Sequence, residues 1–137
     1  MDLLRVLLLF FVGYVLCRFL NDQIDYFYHR DPVLEEIRSQ LSVLHPKFKN
    51  VELYEGDKSY TINKKKIYIC LKDSDGRYYD RNMLAYVVCH ELAHLTCDEV
   101  GHTDKFYVIF KDILKQAAAI GAYDPSIPPL RDYCGHK

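Results

Sequence analysis

The most informative segment of this chain is Cys89-His90-Glu91-Leu92-Ala93-His94-Leu95. Two histidines four positions apart on a helix project from the same face, so both imidazoles can bind one zinc ion. Glu91 follows the first histidine and can reach the open side of that ion, where a carboxylate can accept a proton from water. The flanking residues are apolar, which predicts a buried helix: Val87, Val88, Leu92 and Leu95. The segment therefore predicts a zinc centre with Glu91 as its base.

A catalytic zinc ion usually has three protein ligands and one open position. The best third ligand is His102, because Gly101 permits a sharp turn after the zinc helix and Thr103 can start the next helix. This junction would let His102 point back at the metal. The rival ligands are acidic residues that also suit solvated turns or a first helical turn: Asp98, Glu99 and Asp104.

The pattern around this motif predicts an α+β fold, with a small antiparallel sheet packed on the zinc helix and flanking helices. Asp31-Pro32 opens a helix with apolar residues at steps of three and four, and Pro46 ends it. Asp80 caps the zinc helix of about residues 81–96, and Thr103 caps a helix that Gly121 ends. The predicted strands are Val51–Tyr54, Tyr60–Asn63 and Ile67–Leu71. We expect Ile67–Leu71 to be an edge strand that pairs with an extended peptide.

The first twenty residues are more apolar than the rest of the chain. Residues 6–17 are an unbroken apolar or small run, and the stretch from Leu3 to Leu20 approaches the length of a membrane span. No small-x-small cleavage site follows, so we expect an uncleaved anchor over residues 1–20, with a cleaved signal or a packed helix as alternatives. Residues 21–30 are predicted to be a linker and residues 31–137 the zinc domain. Arg5 and Arg18 lie on opposite sides of the run and leave its orientation open.

Charge and cysteine content narrow the class of protein. The net charge of −1 gives no strong evidence for nucleic-acid binding, and Lys64-Lys65-Lys66 suits a solvated hairpin turn. Five cysteines without a C-x-x-C pair argue against a disulfide framework, so we expect reduced thiols in a reducing compartment. His29 and His45 are expected at the surface. Tyr133 and His136 lie in a terminal segment that is expected to be an ordered tail, although it could fold over the site.

The motif set resembles a known family. The segment from His90 to His94, an acidic spacer and Gly101-His102-Thr103-x-x-Phe106 resemble the core of the WLM and SprT-like (Spartan-type) zinc metallopeptidases. The continuation through Phe106–Ala119 and residues 121–125 is similar to small WLM-like proteins of large DNA viruses. The resemblance covers about residues 50–136 and implies one zinc ion on His90, His94 and His102, with Glu91 catalytic. The metzincin pattern does not fit, because Cys97 and Val100 replace its glycine and third histidine.

These observations predict a membrane-associated zinc metallopeptidase that acts on a protein or peptide substrate. Two alternatives stay open at this point. One is a zinc hydrolase for a substrate other than a peptide. The other is a non-catalytic, membrane-tethered zinc module, against which Glu91 argues, because a structural site needs no base and usually has four protein ligands.

Overall fold

The computed structural model describes residues 2–28 and 30–135, which form an α+β chain. The described elements are α1 (Leu3–Tyr28), α2 (Pro32–Leu41), a 3₁₀ helix (Pro46–Asn50), β1 (Glu52–Glu55), β2 (Tyr60–Ile62), β3 (Lys66–Ile69), α3 (Arg81–Thr96), α4 (Asp104–Ala119) and a second 3₁₀ turn (Tyr133–Gly135). The chain divides into two compact units, Met1–Arg30 and Asp31–Lys137. The second unit begins where the sequence analysis placed the start of the zinc domain.

The first unit consists of α1. Within it, Leu3–Asp25 is a stretch of 23 residues with a mean hydropathy of 2.2, and its apolar side chains are exposed. This helix is long and apolar enough to cross a membrane. The predicted linker at residues 21–30 is helical over most of its length, because α1 continues to Tyr28. The helix extends because the chain contains no glycine or proline between Gly13 and Pro32 that would end it.

The helices of the second unit begin at the predicted capping residues. The Asp31 carboxylate accepts hydrogen bonds from the backbone N–H groups of Val33 and Leu34, and Pro32 occupies the first turn of α2. The Asp80 carboxylate caps α3 in the same way, at 2.9 Å from the backbone nitrogen of Met83. These caps satisfy N–H groups that a helix leaves without internal partners. The local sequence therefore determines where these helices start.

The sheet is mixed, which corrects the predicted antiparallel sheet. Its strand order is β1-β3-β2, with β1 parallel to β3 and β2 antiparallel to β3. The hairpin between β2 and β3 turns at Asn63 and Lys64, both of which have positive φ angles that suit a tight turn. β3 lies between the first two strands and runs in the same direction as β1.

This topology also corrects the predicted edge strand. β3 is paired on both sides, by β1 and by β2, so residues 67–69 of the segment Ile67–Leu71 lie in the central strand of the sheet. Its apolar side chains explain this position, since Ile67 and Ile69 are fully buried. The edge next to α3 is β2, whose Thr61 contacts Glu91.

The core of the second unit lies between the sheet, α2, α3 and α4. The apolar face of α2 is buried, as its spacing predicts, and α4 buries a face of Phe106, Phe110, Ile113 and Ala117. α3 packs against α2, α4 and β3. It is buried on several sides, which holds the motif residues in a fixed orientation relative to the sheet.

Candidate metal centre

Helix α3 positions three of the four predicted site residues. His90 and His94 lie one turn apart on the same face, while their neighbours Cys89, Leu92 and Ala93 are buried in the core. The Nε2 atoms of His90 and His94 are 3.3 Å apart. The helix therefore presents two ring nitrogens to the same point in space, as the four-residue spacing predicts.

His102 reaches the same point from the loop after α3. The helix ends at Thr96 with Cys97 as its C-cap, and Gly101 adopts a φ angle of +84°, in the left-handed region that glycine tolerates best. Thr103 caps α4 by accepting a hydrogen bond from the backbone nitrogen of Phe106. With both sides of the loop fixed, the Nε2 atom of His102 lies 3.1 Å from that of His90.

The spacing of the three nitrogens fits one zinc ion. Two imidazole nitrogens bound to a tetrahedral zinc ion at the usual bond length lie about 3.3 Å apart. The two measured Nε2 separations are 3.3 and 3.1 Å, and the ligand atoms of all three histidines lie within 4.8 Å of one another. Imidazole is a preferred zinc ligand, so the chemistry of the donors and their spacing agree.

A single aromatic ring helps to orient the three imidazoles. The ring centroid of Phe106 lies 4.3 Å from that of His94, 4.9 Å from that of His102 and 5.0 Å from that of His90. Phe106 is fully buried, so its position is fixed by the core. The histidine rings thus pack against a rigid apolar surface, which restricts their rotamers.

Burial keeps the helical histidines in the form that binds metal. Burial, followed by the neighbouring charges of His94 and His102, lowers the pKa of His90 to about 4. The pKa of His94 is also lowered, chiefly by burial and then by His102. Both rings are therefore neutral at neutral pH, and a neutral imidazole has a lone pair available for a metal.

Glu91 lies beside the histidines with little access to solvent. Its exposed fraction is 8%, and burial raises its pKa above the ordinary value for a glutamate. The hydroxyl of Thr61 donates a hydrogen bond to Oε2 of Glu91 at 3.0 Å, which partly offsets that rise in pKa. Thr61 belongs to the edge strand β2. The sheet therefore orients the carboxylate, a contact that the sequence analysis did not find.

The site faces a cavity of about 510 Å³. Its walls combine the motif residues with an apolar group and part of the C-terminal segment, and the full lining is Ser59, Met83, Tyr86, Val87, His90, Glu91, His94, His102, Leu130, Arg131 and Tyr133. A cavity of this size accommodates several atoms of a substrate beside the histidines. The C-terminal segment contributes Leu130, Arg131 and Tyr133 to this lining, in keeping with the prediction that the segment could fold over the site.

Tyr133 anchors that segment. It is buried, its hydroxyl donates to the carbonyl oxygen of Cys70 and pairs with the Ser59 hydroxyl at 3.0 Å, and its ring packs on Tyr79. Burial is the main reason that the pKa of Tyr133 rises to about 12. The proton of this phenol is thus already bound to a protein carbonyl, which favours a structural role over donation to a substrate oxyanion.

A disulfide links Cys70 to Cys134, so the prediction that all five cysteines are reduced is wrong for this pair. The residues are 64 positions apart and meet because Tyr133 brings the tail to the end of β3. An odd number of cysteines is compatible with one bridge, and Cys17, Cys89 and Cys97 are free. The disulfide links the C-terminal segment, which lines the cavity, to the residue that follows β3.

The acidic residues that were rival ligands, and His45, lie outside the histidine cluster. Asp98 forms an ion pair with Lys105 at 2.6 Å, and Glu99 accepts a hydrogen bond from Thr103. His45 caps the first 3₁₀ helix by accepting from the backbone nitrogen of Lys47. Asp104 lies in the first turn of α4, as predicted. His29 and His136 lie outside the described residues.

Proteins of several viruses are similar to this chain. The uncharacterized protein 136R of Invertebrate iridescent virus 6 is 51% identical over 87 residues, 61% of this chain and 49% of that protein. The uncharacterized protein 042R of Invertebrate iridescent virus 3 is 48% identical over 88 residues, 64% of this chain and 55% of that protein. The uncharacterized protein R325 of Acanthamoeba polyphaga mimivirus is 31% identical over 131 residues, 88% of this chain and 62% of that protein.

The chain therefore spans about half the length of the two iridescent virus proteins and somewhat more of the mimivirus protein. These relatives confirm the predicted similarity to viral proteins. No protein-family model matches the chain, and no solved structure matches it.

Proposed function

We propose that this chain is a zinc-dependent metallopeptidase of the WLM or SprT-like type, with zinc bound by His90, His94 and His102. The observation that carries the proposal is the convergence of three imidazole nitrogens beside a buried glutamate at the wall of a cavity. Among the described residues, the cluster has three metal-binding side chains, which leaves the fourth zinc position open. An open position is typical of catalytic rather than structural zinc sites.

Glu91 is the general base in this proposal. Zinc, when bound, supplies a Lewis acid that polarises a carbonyl group and makes a bound water acidic. The raised pKa of Glu91 suits a carboxylate that accepts a proton from water and then passes it to the leaving amine. Thr61 holds one carboxylate oxygen, so the other oxygen is available to the reacting groups.

The edge strand β2 is the proposed guide for a peptide substrate. β2 pairs with β3 on one side, and the described strands leave its other side without a partner. An extended peptide can add to such an edge through backbone hydrogen bonds. Because Thr61 in this strand contacts Glu91, a peptide paired here would pass close to the base. This role replaces the one predicted for Ile67–Leu71.

Helix α1 is the proposed membrane anchor. Its apolar stretch is 23 residues long and its apolar side chains are exposed, both of which suit a lipid environment. A cleaved signal sequence would pass the same test of length and composition. Mass spectrometry of the mature protein distinguishes the two, since an anchor is retained and a signal is removed.

Metal analysis and proteolysis of the full chain in detergent micelles test the proposal. We expect one zinc ion per chain and cleavage of an unstructured protein substrate. Glu91→Gln should keep the zinc but lose on the order of a hundredfold or more in rate, as loss of a general base does. Glu99→Gln is the matched control, because Glu99 is exposed and does not line the cavity. It should retain full activity.

Three outcomes would overturn the proposal. Less than stoichiometric zinc after loading would exclude the metal centre. Unchanged proteolysis in Glu91→Gln would exclude the base. Hydrolysis of RNA or formyl-peptides without cleavage of protein would favour the non-peptide hydrolase instead.

A further inference from the structure

The cavity beside the candidate metal centre combines an apolar surface with one exposed cation. The side chains of Met83, Tyr86, Val87 and Leu130 supply the apolar part. Arg131, whose side chain ends in a guanidinium, belongs to the same lining. The other charged carboxyl or guanidinium group in the lining is Glu91, which is nearly buried and is bound to Thr61. A ligand in this cavity therefore meets a positive charge at Arg131.

The side chain of Arg131 is available to bind a ligand. It is exposed, and it forms no ion pair or hydrogen bond with the residues that the structure describes. Other arginines of the second unit do have such partners: Arg38 pairs with Glu35, Arg77 with Asp73 and Arg81 with Glu36. An arginine that lines a cavity without a partner has its full set of donors available for a ligand.

The backbone on both sides of Arg131 is held in place. The backbone nitrogen of Leu130 contacts Sδ of Met83 at 3.3 Å, and Tyr133 is buried with its hydroxyl bound to Cys70. The disulfide at Cys134 adds a covalent link to the end of β3. Arg131 thus stands on a segment anchored before and after it, which keeps its backbone beside the cavity that holds the three histidines.

We propose that Arg131 is a specificity-determining residue that selects substrates with a carboxylate near the scissile bond. The inference rests on the proposed peptidase function and names its substrate class. A guanidinium binds a carboxylate through two parallel hydrogen bonds, and the apolar lining accommodates the carbon chain that bears the acid. The carboxylate can come from an acidic side chain or from the C-terminus of the peptide, and both sources present the same group.

Matched peptides distinguish these sources and test the inference on the full-length, zinc-loaded chain. One pair differs by Glu or Gln near the cleaved bond, and both of its members have amidated C-termini. A second pair shares one neutral sequence and differs by a free or amidated C-terminus. We expect the carboxylate member of at least one pair to be favoured by up to about fivefold in kcat/KM, the upper end of the discrimination that a solvent-accessible ion pair gives. The pair that shows it identifies the source.

Variants assign the preference to Arg131. In Arg131→Gln the ratio within the favoured pair should fall toward one, and in Arg131→Glu a lysine peptide should be preferred. Lys111→Gln is the control, since Lys111 is exposed on α4 and does not line the cavity. It should leave the ratio unchanged. Thermal melting of each variant checks that the fold is intact.

Binding to the Glu91→Gln variant separates this inference from the proposed function. Fluorescence anisotropy of the same labelled peptides measures affinity without turnover. If wild type cleaves no peptide but the carboxylate peptide still binds more tightly in an Arg131-dependent manner, the peptidase function is wrong and the recognition role stands. If peptides are cleaved with equal ratios in wild type and Arg131→Gln, the recognition role is wrong. If no peptide is cleaved or bound, both are wrong.

Discussion

The disulfide between Cys70 and Cys134 should make a large contribution to the stability of the second unit. Closing a loop across a sequence separation of 64 residues lowers the entropy of the unfolded chain, which stabilises the folded state by about 4 kcal/mol at 25 °C. Measured effects are often smaller, because the unfolded chain retains structure and strain differs between sites. We therefore expect the double variant Cys70→Ser/Cys134→Ser to lose about 2–4 kcal/mol of unfolding free energy.

Urea unfolding of the full chain in mild detergent measures this loss through tyrosine fluorescence. The double variant avoids leaving one reactive thiol, and Cys17→Ser is the control because Cys17 is free and exposed in α1. Maleimide mass tagging of denatured, unreduced protein should label three cysteines, which are Cys17, Cys89 and Cys97. Labelling of all five cysteines, or an unfolding midpoint that reductant does not change, would refute the reasoning.

Three further substitutions test the site and the core. His102→Ala should weaken zinc binding by more than the tenfold to hundredfold that is typical when a residue that only orients a metal ligand is lost. His45→Ala should leave zinc binding unchanged, and competition with a chelating dye measures both variants. Gly101→Ala should lower stability by about 1–2 kcal/mol in urea unfolding, because Gly101 has a φ angle of +84° although a Cβ there would meet nothing within 4 Å. Ile37→Ala should cost about 2–5 kcal/mol in the same assay, since Ile37 is fully buried; a loss below 1 kcal/mol would contradict its place in the core.

Local signals predicted the helices and the three histidines. The caps at Asp31, Asp80 and Thr103 act within three residues, and the spacing of His90 and His94 fixes their common face. Gly101 could be recognised as the turn that brings in His102 because its conformational freedom is a property of the residue itself. These features depend on interactions between neighbours in the chain.

Contacts between distant residues could not be predicted in the same way. The order of the strands depends on β3 lying between β1 and β2, and no local sequence pattern predicts that order. The hydrogen bond from Thr61 to Glu91 spans 30 positions, and Tyr133 meets Cys70 across 63 positions. No local pattern marks Arg131, whose segment is held at the cavity by Tyr133 and the disulfide at Cys134. The sequence shows that Cys70 and Cys134 are present, but it does not show that these two of the five cysteines form a disulfide.

The disulfide also bears on which side of a membrane the second unit lies. Arg5 and Arg18 flank the apolar helix on both sides and leave its orientation open. Disulfides persist in oxidising compartments and are rare where thiol reductants are abundant. Because Cys70 and Cys134 are bridged, we expect the second unit to lie on the non-cytosolic side, not in the reducing compartment that the cysteine count suggested. In sealed vesicles from expressing cells whose cytosolic face is outward, a protease added outside should not digest residues 31–137 unless detergent is present. Digestion without detergent, in vesicles whose cytosolic face is outward, would place the unit in the cytosol and would require another explanation for the bridge.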